Sequence, residues 1–188
     1  MDVSAKLAEE IDLTWVSRER IGDNLKQPST YYSTGVDVNI AVSNHLTLTP
    51  SYYYFDRLTA AENRQTGQVP ILAATLADIW GRWKISDRSR LAGVLVNGSA
   101  HYWVLQNRPR VDYRLGSEPE GASVFLWDEV SYYSIYHSWT RNRLAAGTRI
   151  AVGKRCAVDL YYLRQDDSRS HTREINAIGT TLELRIGP

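Results

Sequence analysis

The sequence predicts an all-β protein: a single antiparallel, up-and-down β-barrel domain of about ten strands, or about twelve in a longer complete chain. Hydrophobic and polar residues alternate with a period of two along most of residues 1–188, which is the spacing of strands with one buried face. Many alternating segments have ten or more residues, whereas strands of soluble proteins average about five or six. No run of 18 apolar residues is present, so the sequence predicts no membrane-spanning helix.

Each predicted strand rests on its own alternation of side chains. In residues 30–42, for example, Val36 and Val38 oppose Gly35 and Asp37. The other segments repeat this arrangement, and successive side chains of an extended chain point to opposite faces. In chain order the predicted strands are residues 6–20, 30–42, 46–57, 71–85, 88–96, 102–115, 122–133, 142–152, 156–165 and 173–186.

The fourth segment, residues 71–85, alternates less regularly. Its apolar face is assigned to Ile71 and Ala73, and Asp78 is assigned to the opposite, polar face. Leu72 shares that polar face, so the pattern indicates a strand with apolar residues on both sides.

The seventh segment, residues 122–133, is also mixed. Phe125 and Trp127 fall on the same face as Glu129. A β-bulge, which shifts the register by one residue, would explain this pattern and is predicted here.

The predicted connections alternate between short turns and mostly longer loops, which is the layout of outer-membrane barrels. Short turns are expected where Gly, Asn, Asp and Ser cluster. These turns are Ser43–His45, Ser86–Asp87 and Gly153–Arg155, with a slightly longer one at Gly116–Gly121, and the remaining connections are residues 21–29, 59–70, 97–101, 134–140 and 166–172.

The stretch QNRPRVDYRL, residues 106–115, raises the question of which face meets water. Arg108, Arg110 and Asp112 line one side, and Val111 and Tyr113 line the other. A soluble, lipocalin-like barrel would bind a small apolar ligand inside and expose the arginines. A membrane barrel would turn the apolar side to lipid and enclose the arginines.

Three features favour lipid outside. The polar faces mix charges with small residues such as Ser33, Gly35 and Gly147, which suits a narrow interior. Aromatic residues gather near strand ends, as interfacial girdles do. The chain has 18 arginines but only 4 lysines, and arginine is preferred where a cation must be enclosed and paired.

Composition excludes several other classes. The net charge of +1 gives no bulk attraction to nucleic acid or to anionic lipid. Metal motifs such as HExxH and CxxC are missing, and Cys156 is the only cysteine, so neither a metal, a cofactor nor an internal disulfide is expected. The start, MDVSAKLAEE, is not a signal peptide, so either the protein is cytoplasmic or a signal has been removed, and for an outer-membrane protein we expect the second. The expected partner is membrane lipid, and a monomer is favoured.

The candidate site is a network of charges inside the barrel. In one interpretation the charges pair with each other and fill the lumen, because an isolated enclosed charge is costly. In another, a narrow water-filled path with an excess of arginines prefers anions. The predicted lumen residues are Arg82, Arg88, Arg90, Arg108, Arg110, Asp112, Arg114, Glu129, Arg143, Arg149, Asp159, Glu183 and Arg185.

A lipid hydrolase of the outer membrane is a third hypothesis. It would need a serine, a histidine and an orienting carboxylate within hydrogen-bond reach. Ser99 precedes His101, and Ser138 follows His137, near the loop side of the strands. Asp128 or Glu129 would supply the carboxylate, although no spacing in the sequence requires this arrangement.

Several short motifs resemble the domain of unknown function 2490 (DUF2490) family. The resemblance covers about residues 75–165 and implies an outer-membrane β-barrel without an assigned activity, and hence a location in the bacterial outer membrane. The matching elements are Asp87-Arg88-Ser89-Arg90-Leu91, Arg108, Arg110, Asp128-Glu129, Asn142-Arg143-Leu144 with Gly147, and Tyr161-Tyr162.

Overall fold

The computed structural model describes residues 1–22, 29–58, 64–116, 121–152, 156–169 and 174–186. These residues form a closed barrel of eleven strands, and a single 3₁₀ turn, Ser134–Tyr136, precedes the ninth strand. None of the described residues forms a helix long and apolar enough to cross a membrane. The strands are β1 Asp2–Ala8, β2 Ile11–Gly22, β3 Ser29–Ala41, β4 Leu46–Leu58, β5 Arg64–Trp80, β6 Trp83–Val96, β7 Tyr102–Arg114, β8 Ser123–Tyr133, β9 Ser138–Ala151, β10 Cys156–Asp167 and β11 Glu174–Ile186.

The predicted all-β barrel is confirmed, and the strand count differs by one. Neighbouring strands are antiparallel except at the closure, where β1 pairs with β11 in parallel, from Asp2 opposite Glu183 to Ala5 opposite Ile186. An up-and-down barrel with an odd number of strands must close in this way, because its first and last strands run in the same direction.

The extra strand comes from the N-terminal segment. The predicted strand 6–20 is wrong in extent, because β1 and β2 form a hairpin in which Ala8 pairs with Ile11. The turn residues are Glu9 and Glu10. Neither is a glycine, proline or asparagine, which are the residues that usually mark a turn. The alternation of apolar and polar residues in the sequence therefore runs through this turn without a break.

The turn between β5 and β6 also lies elsewhere than predicted. It is formed by Gly81 and Arg82, and Gly81 has a φ of +60°, which glycine adopts without steric cost. The predicted turn at Ser86–Asp87 is wrong, because both residues lie within β6. The predicted connection 59–70 is too long, since β5 begins at Arg64, and residues 59–63 lie outside the described residues.

The remaining connections fall near their predicted positions. Residues 43–45 form the turn between β3 and β4, and residues 117–120 of the predicted turn Gly116–Gly121 lie outside the described residues. The loop 97–101 joins β6 to β7. The predicted turn Gly153–Arg155 lies outside the described residues.

The two faces of the wall differ in polarity and exposure. The outward face is apolar and exposed, as at Leu72, Leu126 and Ile178, whose exposed fractions are 57%, 45% and 81%. Inward residues are shielded, and the exposed fractions of Val16 and Ser131 are 1% and 0%. The soluble alternative, with apolar ligand inside and arginines outside, does not match this orientation.

Two face assignments made from sequence are wrong. In β5, Ile71 and Ala73 are buried inside and Leu72 faces outward, so the apolar face was assigned in reverse. Asp78 shares the parity of Leu72 and is therefore outward in the register of β5. The inward face of β5 carries small residues, so its two faces differ too little in polarity for the sequence pattern to show which one meets lipid.

In β8 no bulge separates Phe125 from Glu129. The strand pairs with β9 in continuous register from Ser123 to Ser131, and the register shifts only between Ser131 and Tyr132. Phe125 and Glu129 are both buried inside. The mixed pattern therefore reflects an interior that contains aromatic rings as well as charges.

Inward glycines make room for these rings. A Cβ atom at Gly179 would lie 2.3 Å from the Cζ atom of Tyr161, and one at Gly35 would lie 2.6 Å from the ring of Tyr53. A Cβ at Gly67 would similarly meet the ring of Phe55 at 2.5 Å. The rings thus lie flat over the wall and narrow the lumen.

Candidate functional site

Five consecutive strands, β6 to β10, place most of the predicted site residues on the inner wall. Because residues of one parity on a strand share a face, every second residue of these strands points inward. Paired residues on neighbouring strands lie on the same side of the sheet, as for Arg88 opposite Arg108 and Glu129 opposite Arg143. The inward members are Arg88, Arg90, Arg108, Arg110, Asp112, Arg114, Glu129, Arg143, Arg149 and Asp159, joined by Glu183 of β11.

Glu129 is the centre of the largest group of contacts. Its carboxylate lies 3.5 Å from a guanidinium nitrogen of Arg88 and 3.3 Å from one of Arg143. Gln106 donates a hydrogen bond to the same carboxylate at 3.4 Å and another to Ser131 at 3.1 Å. Only 5% of the Glu129 side chain is exposed. We call Glu129 with Arg88, Arg90, Arg108 and Arg143 the arginine cluster.

Two inward arginines lie over aromatic rings of β8. The guanidinium carbon of Arg108 is 5.2 Å from the ring centroid of Trp127, and that of Arg110 is 4.3 Å from that of Phe125. These cation–π contacts hold the planar groups against the wall. They also explain why Phe125 and Trp127 occupy inward positions that the sequence pattern did not assign to aromatic residues.

A second group lies towards the short-turn end of the barrel. Arg149 is within 3.5 Å of Asp159 and also pairs with Glu183. Arg110 forms a two-pronged contact with Asp112, with distances of 2.9 Å from Nε and 2.6 Å from Nη2. Three carboxylates and two guanidinium groups thus meet in this second group.

Two functional candidates were missed by sequence reasoning, Arg141 and Asp167. Arg141 donates two hydrogen bonds to Asp167, at 2.9 and 2.6 Å. Both fell outside the predicted strands, because one strand was expected to begin at residue 142 and its partner to end at 165. Arg141 stands two residues before Arg143, and that alternation was the available signal.

Three predicted residues, Arg82, Arg90 and Arg185, remain to be described. Arg82 is exposed in the turn, where its carbonyl accepts a hydrogen bond from the backbone N–H of Arg114 at 2.9 Å. Arg90 stands opposite Gln106 in the β6–β7 register. The backbone of Arg185 pairs with Ser4, and its side chain lies outside the description.

The serine and histidine residues considered for catalysis are not joined into a triad. Within the described residues, no hydrogen bond links His101 or His137 to Ser99 or Ser138. The neighbouring carboxylates have other partners, because Asp128 accepts a hydrogen bond from Asn142 at 2.7 Å and Glu129 lies in the arginine cluster.

In the short motifs on which the family resemblance rests, successive residues point to opposite faces of the wall. Arg88, Arg90 and Glu129 are inside, while Asp87, Ser89 and Asp128 are on the outward face. On that face Asn107 donates hydrogen bonds to Asp87 at 2.8 Å and to Ser89 at 3.2 Å.

An apolar outer wall, a closed sheet and a charged interior define the fold of an outer-membrane β-barrel. The chain belongs to the DUF2490 family, described as a protein of unknown function, whose model matches residues 1–176. The membership predicted from the short motifs is thus confirmed, and it extends well beyond the segment on which the resemblance rested.

A solved structure supports the fold. The chain resembles LpxR from Salmonella typhimurium with a TM-score of 0.64 and 11% identity, over 96% of this chain and 86% of that one. An anion-selective porin from Comamonas acidovorans (TM-score 0.45, 9% identity, 93% and 55% covered) and the siderophore receptor PirA from Pseudomonas aeruginosa (0.35, 9%, 98% and 37%) are more distant. At 11% identity the likeness to LpxR concerns the fold alone. No curated protein sequence matches the chain.

Proposed function

We propose that this protein resides in the bacterial outer membrane and passes small anions through a narrow, arginine-lined interior. The observation that carries the proposal is the concentration of inward arginines in the arginine cluster. Arg88, Arg90, Arg108 and Arg143 line that part of the lumen, and Glu129 contacts Arg88 and Arg143.

The register keeps positive charges close together. Arg88 stands directly opposite Arg108 on the neighbouring strand, a like-charge arrangement that destabilises a sheet unless counter-ions or aromatic faces compensate. A lumen with low-dielectric walls focuses such a potential and raises the local concentration of ions of the opposite sign. Arginine side chains lining a pore therefore favour anions over cations.

The interior is narrow because side chains fill it. Barrels of about eight strands hold just enough space for side chains, and open aqueous channels need about sixteen. Eleven strands lie between these limits, and inward rings such as Phe55, Phe125 and Tyr161 occupy part of the space. The proposal is therefore a path for inorganic ions, not for larger metabolites.

Single-channel recording with a salt gradient tests this proposal. The refolded protein is inserted into a neutral phosphatidylcholine bilayer with a tenfold KCl gradient, about 1.0 M against 0.1 M, and the reversal potential is measured. We expect small conductance steps and a reversal potential that is shifted from zero towards the equilibrium potential of chloride. A double variant, Arg90→Gln with Arg108→Gln, should reduce the preference for chloride.

The matched control is Arg164→Gln. Arg164 is an outward residue with an exposed side chain, and it pairs with Asp166 and Glu174 at 3.4 and 3.3 Å. This substitution removes one positive charge outside the lumen, so the reversal potential should stay at the wild-type value. A preference for cations, or a folded barrel without any conductance, would contradict the proposal.

A further inference from the structure

A single row of inward polar residues crosses five neighbouring strands of the barrel. Arg88 of β6 pairs with Arg108 of β7, and Arg143 of β9 pairs with both Glu129 of β8 and Gln165 of β10. The β7–β8 register on both sides of this position places Arg108 beside Glu129. Neighbouring members of the row are one strand spacing apart, about 4.8 Å, so their side chains reach the same part of the lumen.

Three arginines at the β6 end of this row lie especially close together. Arg88 stands directly opposite Arg108, and residues paired in this way have Cβ atoms about 5 Å apart. Arg90 is two residues from Arg88 on the same face of β6, which corresponds to about 7 Å along the strand. We call Arg88, Arg90 and Arg108 the arginine triangle.

Glu129 holds the neighbouring arginines less tightly than other carboxylates of the lumen hold theirs. Its oxygens lie 3.5 Å from a nitrogen of Arg88 and 3.3 Å from one of Arg143. Charge-assisted hydrogen bonds of this kind are about 2.7–2.9 Å long, and Asp112 approaches Arg110 to 2.6 Å. The long contacts keep Arg88 in place without the geometry of a tight ion pair.

The arginine triangle is enclosed but accessible from the lumen. The side chain of Arg88 is 28% exposed, and because it points inward, this exposed part meets the interior. The ring of Trp127 lies 5.2 Å from the guanidinium carbon of Arg108. A ring that covers the face of a guanidinium group does not use the N–H groups in its plane. Hydrogen bonds in such surroundings are stronger than in water.

We propose that the arginine triangle binds a tetrahedral oxyanion, with inorganic phosphate as its type, in preference to chloride. The planar fork of each guanidinium group matches two oxygens of such an anion, and three arginines surround it from two strands. Chloride is a sphere and gains nothing from this geometry. The inference rests on the proposed function for the route by which an anion enters the lumen, and it names the class of anion that the route serves.

The type of cation supports an oxyanion. All three members of the triangle are arginines, whereas lysine would supply the same positive charge as a point without a fork. A phosphate in a lipid headgroup shares this chemistry but is held at the membrane surface. The triangle lies on the inner wall, so a free anion in the lumen is the occupant that fits.

Isothermal titration calorimetry of the refolded barrel tests this inference. The barrel is kept in maltoside micelles, which contain no phosphate, and sodium phosphate and sodium chloride are titrated separately at neutral pH and equal ionic strength. We expect phosphate to bind at least about tenfold more tightly than chloride. Calorimetry needs no ion flow, so a failure of conduction and a failure of oxyanion binding are separate results.

Lysine variants separate the effect of the fork from the effect of the charge. Arg108→Lys keeps the charge but removes the fork, so the phosphate affinity should fall about tenfold. Arg90→Lys is a second variant, which changes the triangle without disturbing the contact with Trp127 and should show a similar loss. Arg164→Lys is the matched control, because Arg164 is outward, half exposed and paired with Asp166 and Glu174. It should leave the phosphate affinity unchanged.

Three results would overturn the proposal. The first is equal affinity of the wild-type barrel for phosphate and chloride. The second is an unchanged phosphate affinity in both Arg108→Lys and Arg90→Lys, which would show that charge alone holds the anion. The third is displacement of phosphate by phosphatidic acid added to the micelles, which would assign the site to a lipid headgroup.

Discussion

At the scale of single residues, Glu129 holds the largest group of lumen contacts together. Its carboxylate serves Arg88, Arg143 and Gln106 at once. Removing one partner of an enclosed ion pair is more destabilising than the net value of the pair, because the remaining charges lose their compensation. Without Glu129, two guanidinium groups and the Gln106 amide would lose their acceptor.

Glu129→Ala should therefore lower the free energy of unfolding by about 3 kcal/mol. The measurement is urea unfolding of the barrel in lipid vesicles, followed by tryptophan fluorescence. Asp166→Ala is the control, because its partner Arg164 is half exposed at 51% and solvent screens such pairs. Equal effects of the two substitutions would show that Glu129 does not organise the lumen.

Part of this site could be predicted from the type of each residue and from its odd or even position along the strand. The inward positions of Arg88, Arg108 and Glu129 follow from alternation once the apolar side is assigned to lipid. Their partners do not follow, because contacts such as Arg88 with Glu129 join strands that are not neighbours. The curvature of the wall, which no local pattern encodes, brings these side chains together.

At the scale of strands, register decides which ring covers which glycine. Tyr161 of β10 pairs with both Gly147 of β9 and Gly179 of β11, and its ring lies over the second of these. Alternation predicted most strands because one face is consistently apolar. It failed at the Gly81–Arg82 turn, where tryptophans on both sides continue the apolar pattern, and a single glycine was a weak signal.

Gly179→Ala should destabilise the barrel by about 1–3 kcal/mol, because the new methyl group meets the Tyr161 ring and overpacks the wall. Gly93→Ala is the control, since a Cβ there would lie 3.6 Å from Pro70, an ordinary contact. Urea unfolding in vesicles measures both variants. In a Tyr161→Ala background the cost of Gly179→Ala should vanish, and an unchanged cost would contradict this packing.

A further prediction concerns the outward face of β7. Val111→Arg should cost about 2–4 kcal/mol, whereas Leu115→Arg, near the end of the wall, should cost no more than about 1 kcal/mol, because the penalty for a lipid-facing charge falls towards the interface. Val111 lies within β7 and Leu115 directly after it. Unfolding in vesicles measures the difference, and equal costs would argue against a depth-dependent lipid environment.

At the scale of the whole molecule, the sequence predicted the closed all-β barrel and its family but not the parallel closure. An odd strand count arose from one hairpin, at Glu9 and Glu10, that the pattern did not reveal. The outward contact of Asn107 with Asp87 was equally hidden. Asp87 was predicted in a turn, and its contact across β6 and β7 is visible only once the register is known.

The central claim is that lipid covers the apolar outer face and that the charges are enclosed. Electrophoretic mobility of the detergent-refolded protein in SDS, with and without boiling, tests this claim most directly. A closed membrane barrel resists SDS in the cold and unfolds on boiling, so we predict two clearly different mobilities. A single mobility, together with folding in detergent-free buffer, would contradict the claim and place the apolar face in contact with something other than lipid.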